Sequence, residues 1–263
     1  MRGLICLVLA FNLHSEDDGN ANREVIRSAM KKVRAADKRK TDFLYQRRFD
    51  KKEFSSEGHL KSETNLTTRR DPWDEQLVTR VIARDDKPLS QDEIEKQEDR
   101  LRKSVEEFRR NPPKTKDEQV WMDELPDALD FRLLSTENFR GRTTRIFEFE
   151  PHPGYKAKEM RARAFERIKG KVWIDDADGE MARLELLVTD TINIGFGMLG
   201  RIEKGTSFEM ERKKWDSGYW FDEWNKVRFD LRVMMVKTLR QEIENRWSSF
   251  SPRPAVRSAR SGS

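Results

Sequence analysis

One cysteine, Cys6, stands in 263 residues. Neither a disulfide framework nor a thiolate metal site can form within such a chain. The three histidines, His14, His59 and His152, lie in separate segments, so no pair has metal-ligand spacing. No run of about 20 apolar residues exists, which excludes a polytopic helical membrane protein. A Gly-x-Ser-x-Gly elbow, a phosphate-cradling loop and a Cys–His pairing are all missing. No fixed period runs through the chain, so collagen and repeat arrays are excluded too. With no catalytic constellation, no enzyme activity and no cofactor are expected.

Apolar residues are also scarce, at 35% against 38% charged. Yet 53 basic and 48 acidic residues cancel to +5, so charge repulsion does not hold the chain open. Seven Trp and fifteen Phe supply apolar surface for a core. Basic and acidic residues are intermixed, and no RNA-binding signature or recognition-helix pattern accompanies them. Nucleic acid is therefore not an expected partner. Peripheral contact with an anionic membrane surface is a milder use of the same charge.

Met1-Arg2 precedes an apolar run, Leu4 to Leu13, broken by Asn12. A positive start and a short apolar stretch fit a secretory leader over residues 1–14. The alternatives are a buried first strand or a mis-set start codon. Removal of that leader leaves a chain without cysteine, which suits an oxidising compartment.

Val25, Ile26, Ala29, Met30, Val33 and Ala36 form a helical stripe, with Asn20 or Asn22 as candidate N-caps. The period then drops to two. Strands are expected from Asp42, from His59 to Arg69 and from Gln76 to Arg84, with turns at Ser55–Gly58 and around Asp71-Pro72. A helical insertion, Ser90 to Leu129, follows. Ser90 and Glu93 make a capping box, and Ile94, Leu101, Val105 and Phe108 make its apolar stripe. Strands resume at Phe131–Phe139 and Thr143–Glu150, and Tyr155–Arg167 is ambiguous. A hairpin joins Lys171–Asp175 to Ala182–Thr189, and Asp175 and Asp176 read as turn residues. Further strands are expected at Gly205–Trp215, Tyr219–Trp224 and Lys226–Met235. Gly195–Gly200 reads as an inter-strand loop. Leu239, Ile243 and Trp247 fit strand or helix, and from Ser248 a disordered tail is expected. Residues 15–250 thus read as one domain, with 251–263 as the tail.

The fold class that follows is α+β. A single strongly curved antiparallel sheet of roughly nine to eleven strands, with helices on its concave side, is the economical arrangement. The residues expected to face an apolar space under the helices are Val172, Ile174, Leu184, Leu186, Phe208, Met210, Trp220, Phe229 and Leu231.

Several stretches carry a family resemblance. Gly170–Asp175 reads Gly-Lys-Val-Trp-Ile-Asp and leads through a turn to Ala182-Arg183-Leu184-Glu185. Lys204–Arg212 and Ser217-Gly218-Tyr219-Trp220 follow, and Phe43–Arg48 and Lys87–Ser90 match more loosely. In these the chain resembles the outer-membrane lipoprotein-sorting proteins of the LolA/LolB-like carrier class. The resemblance implies an unclosed barrel with a cavity for a lipid or lipoprotein acyl chain, in the periplasm or at the outer membrane. It identifies no arginine here as the holder of a carrier's lid. A second function class is an envelope structural or sensor protein that binds another protein through the same fold. Trp73, Trp121, Trp215 and Trp224 are its candidate anchors.

Overall fold

A computed structural model describes residues 3–73, 76–111, 120–194, 200–233 and 237–254, with only the backbone for 3–17, 120–121, 194, 233 and 237. Helix α1, Gly3–Lys40, opens the chain. Strands β1 (Phe43–Phe54), β2 (Leu60–Trp73), β3 (Gln76–Arg84) and β4 (Lys87–Pro88) follow as a meander. Helix α2 spans Gln91–Arg110, and a 3-10 turn at Val120–Glu124 leads to the short α3, Leu125–Ala128. Next come β5 (Leu129–Phe139), β6 (Arg142–Pro151), a 3-10 segment Met160–Arg167, β7 (Ile168–Asp175) and β8 (Met181–Val188). The last strands are β9 (Ile192–Ile194), β10 (Gly200–Ile202), β11 (Ser207–Lys214), β12 (Trp220–Val233) and β13 (Lys237–Pro252).

All pairings are antiparallel. The sheet order is β4-β3-β2-β1-β13-β12-β11-β8-β7-β6-β5, with β9 and β10 branching from β12. The outer strands β4 and β5 do not pair, so the sheet stays unclosed. The closing step of its topology is β1 on β13, which ties Phe43 to Pro252 across nearly the whole described chain.

Helix α1 lies across one face and touches β5, β8 and β12. Its stripe meets the sheet as the spacing predicts: Ile26 and Ala29 are buried with Val25, Met30 and Val33 packed against the same core, and Ala36 is buried in a second cluster with Phe43 and Phe221. Neither Asn20 nor Asn22 caps it, because the helix already runs from Gly3. Asn22 instead donates from Nδ2 to the Phe131 carbonyl, 3.0 Å away. Among the described residues no helix is long and apolar enough to cross a membrane. The apolar run read as a leader forms the first turns of α1.

The capping box of α2 is present, with Glu93 N–H bonded to Ser90 Oγ and Ser90 N–H bonded back to Glu93. The helix docks on β3 by a two-way bond, because the Gln97 amide both donates to and accepts from the Val81 backbone. Only Val105 of its stripe is buried; Phe108 is exposed.

Several boundaries differ from the expectation. There are thirteen strands among the described residues. Strand β2 continues through Asp71-Pro72 to Trp73, since a proline at a hairpin end forfeits little pairing. Tyr219–Trp224 and Lys226–Met235 are one strand, β12, whose register slips opposite Glu211 and Arg212. That slip is a bulge, and it interrupts the side-chain alternation that suggested two strands. Residues 248–252 belong to β13 and pair with β1, so the expected tail is partly structured. Residues 195–199 of the glycine-rich loop and 255–263 of the tail lie outside the described residues.

Candidate functional site

Two rows of side chains cross the sheet beneath α1. Phe147, Val172, Leu184 and Met210 are successive partners on β6, β7, β8 and β11. Phe149, Gly170, Leu186 and Phe208 form the next row. Strand alternation sends both rows to the same face. Where the rows meet α1 they do not pack fully, and a cavity of about 340 Å³ remains.

Its roof is Ile26, Met30 and Val33 of α1. Met122, Leu125 and Leu129 close one end, and Phe131, Phe149, Ile168 and Met181 complete the walls. Arg34 and Asp37, both on α1, are the polar side chains on its border. Arg34 is held by an ion pair to Asp123. Asp37 keeps part of its side chain in water at the rim. Partial burial, and next the nearby Asp222 carboxylate, raise its pKa above the ordinary value, against the pull of Lys40 and Arg212.

Of the residues proposed from sequence, Val172, Leu184, Leu186, Phe208 and Met210 border this cavity. The other four do not. Ile174 is fully buried in close-packed core. Trp220 packs with Ile146, Trp173 and Ala182 and donates from Nε1 to Asp178 at 3.0 Å. Ile146 and Trp173 alternate with Phe147 and Val172, so that cluster belongs to the opposite face. Phe229 and Leu231 lie farther along β12; Leu231 pairs with Ile202 and Leu239. Alternation identifies a face, but not how far a helix extends over it.

The sequence reading missed Phe131, Phe149, Ile168, Met122 and Leu125 as lining residues. The alternating Phe147 and Phe149 carried a usable signal; Met122 lies in a 3-10 turn and Leu125 opens the four-residue α3, segments too short for a periodic pattern to show which side faces the sheet. Three of the four candidate tryptophan anchors are not free. Trp73, Trp215 and Trp224 are half-buried, with Trp224 Nε1 donating to Glu244 at 2.7 Å and the Lys213 ammonium 4.1 Å from the Trp215 ring centre. The Trp121 side chain lies outside what is described. Among the described residues no group of three or more His, Cys, Asp or Glu side chains is placed to hold a metal ion.

A latch anchors the far end of α1. Arg212 is fully buried on β11, 3.1 Å from Glu180, 3.4 Å from Asp222 and 3.0 Å from the Trp220 carbonyl. Asp222 also pairs with Lys40 at 3.2 Å, whose ammonium lies 4.4 Å from the Trp247 ring centre. The last turn of the cavity's roof is thus tied to β12 and β13.

No protein-family model and no curated protein matches the chain. Among solved structures it aligns with a DUF1329 family protein from Desulfovibrio piger at 13% identity, covering 90% of this chain and 94% of that one, with a TM-score of 0.33. An outer membrane lipoprotein-sorting protein domain from Vibrio parahaemolyticus aligns at 12% identity over 91% and 95% of the two chains, TM-score 0.33. A LolA superfamily protein from Nitrosomonas europaea aligns at 8% identity over 86% and 93%, TM-score 0.29. The structural neighbours of this chain thus lie among DUF1329, lipoprotein-sorting and LolA-superfamily proteins, alike along most of their length and loosely alike in geometry.

Proposed function

We propose that this protein is an exported, non-enzymatic binding protein of the bacterial envelope that holds a lipid or lipoprotein acyl chain. The observation that carries this reading is the cavity of about 340 Å³ under α1, bordered by apolar side chains except at Arg34 and Asp37. Small-molecule sites are typically concave, mostly apolar and marked by a few polar groups. At about 30 Å³ for a water-sized group, the space holds on the order of ten methylenes. Each buried methylene contributes about 0.8 kcal/mol.

Arg34 and Asp37, on the same helix, are the polar side chains a head group could meet. An acyl chain would enter with its tail among Phe131, Phe149 and Ile168 and leave its head near the rim. Native mass spectrometry of the protein purified from its own envelope tests the reading, together with displacement of a fluorescent fatty acid. A bound lipid and saturable displacement are expected. Repeated recovery without lipid, combined with no fatty-acid binding, overturns it.

A further inference from the structure

Strand β5 ends the sheet with one edge unpaired among the described residues. Its start is covered: Asn22 of α1 bonds the Phe131 carbonyl, and Arg23 pairs with Asp130 at 3.2 Å. Beyond that point every residue from Arg132 to Asn138 is exposed, including Leu133 and Leu134 at 46% and 37%. An exposed edge with adjacent leucines is a template for another strand.

The direction of the backbone groups follows from the contacts. The Phe131 carbonyl meets α1, so it points away from β6. Alternation gives the backbone of Leu133 the same outward direction. The register shift between Leu133 and Ser135 moves the phase by one, so Thr136 and Asn138 point outward as well. Glu137, in between, turns its carbonyl towards the Thr144 hydroxyl on β6.

These positions are self-complementary. In an antiparallel pair of two β5 strands centred between Leu134 and Ser135, Leu133 of each copy faces Thr136 of the other. Both have outward N–H and C=O groups, so they exchange two hydrogen bonds. Arg132 then stands opposite Glu137. The two share a face, because Arg132 pairs with Glu148 on β6 and Glu137 accepts from Trp173 on the face away from α1. Charges on an edge normally prevent pairing. Here the two charges have opposite sign and meet each other across a twofold axis, as an isologous contact requires.

We propose that the β5 edge pairs with the β5 edge of a second copy of this chain, forming a twofold dimer with one continuous sheet. Light scattering after size exclusion, on the full chain over a wide concentration range, should show a concentration-dependent dimer. Arg132→Glu places like charges opposite each other and should give a monomer. Adding Glu137→Arg to that variant restores opposite charges and should restore the dimer. Thr136→Pro removes an outward N–H and leaves the bonds to β6, so it should give a folded monomer. Amide exchange serves as the second measurement, since protection at Leu133 and Thr136 should rise with dimer formation. A wild type that stays monomeric overturns the proposal. So does a dimer that persists in both Arg132→Glu and Thr136→Pro, because the contact then lies elsewhere.

Discussion

Phe149 and Gly170 face each other across β6 and β7, and the phenyl ring occupies the space a side chain on Gly170 would need. A Cβ added there would fall 2.6 Å from Phe149 Cζ and 1.9 Å from the Glu185 carbonyl oxygen. The ring that walls the cavity is therefore seated by a missing side chain. The glycine's conformational freedom is not the reason for its presence; the close approach of two strands is.

Gly170→Ala should consequently destabilise the protein by about 1–3 kcal/mol or more, the cost of overpacking a filled interior. The ring could move aside, but the Glu185 carbonyl is backbone and cannot move without disturbing β8. Urea denaturation checks the magnitude. A variant as stable as wild type would show that the strands separate easily here.

The cavity makes a contrast between two neighbouring sites. Ile174 is fully buried in close-packed core, so Ile174→Ala should cost about 2–5 kcal/mol. Leu184 borders open space, so Leu184→Trp should be tolerated in stability while it displaces a fluorescent fatty acid. Leu231→Trp, by comparison, should leave fatty-acid binding unchanged, because Leu231 sits beyond the cavity on β12. Denaturation and ligand titration on the three variants distinguish a pocket from an ordinary core.

Much of this arrangement was legible from the chain alone. The α1 stripe, the capping box at Ser90 and Glu93, and the alternation of β7, β8 and β11 are local patterns, and each has one physical solution. Five of the nine residues expected at the cavity border it, where those alternating strands pass under the helix. What escaped was long-range. Trp220 looked like an inward aromatic until its partner Trp173 placed it on the outer face. Strand β13 carries Arg240, Gln241, Glu242 and Glu244 between Leu239, Ile243 and Trp247, whose spacing of four fitted helix as well as strand. Its strand state is set by the backbone ladders to β1 and β12, with cross-strand ion pairs such as Asp230–Arg240 at 2.7 Å and Lys226–Glu242 at 2.8 Å alongside, and no single segment reveals these partners.

Asp37 and Asp178 should shift the acid stability in opposite directions. The Trp220 indole N–H, with help from Lys214 and Arg142 and against a burial effect, lowers the Asp178 pKa below its ordinary value. Its folded state therefore binds fewer protons than its unfolded state. The stability it contributes is present above the unfolded pKa of about 4 and is lost as pH falls through the folded one. Asp178→Asn should flatten that acid limb. Asp37 is raised, so its penalty applies at neutral pH and disappears as pH falls below the unfolded value. Asp37→Asn should stabilise the protein at pH 7 and lose that advantage in acid. Thermal melts from pH 3 to 8 on both variants check the two signs.

Asp175 gives the sharpest test of the outer face. Its carboxylate is 1% exposed, yet both oxygens are bound by Arg142, at 2.6 Å from Nε and 2.7 Å from Nη2. Asp178 accepts from the same guanidinium at 2.8 Å, and the Asp178 N–H donates to Asp175 at 2.8 Å. The turn from β7 to β8 is thus built around one arginine on β6. Arg142→Ala would leave a buried carboxylate with a single backbone donor in place of a bidentate cation. Breaking a buried pair from one side costs about 3–5 kcal/mol. The half-exposed guanidinium reduces the desolvation it had already undergone, so the lower end of that range is expected. Arg142→Lys should recover only part of the loss, since an ammonium cannot bind both oxygens in the same plane. Replacing both partners, with Arg142→Met and Asp175→Asn together, should cost less than Arg142→Ala alone, because no uncompensated charge remains. Chemical denaturation measures these losses, and a cycle of Arg142→Met and Asp175→Asn, singly and together, gives the coupling; additive losses in it would show that the pair is not coupled and that the turn is held by its backbone bonds.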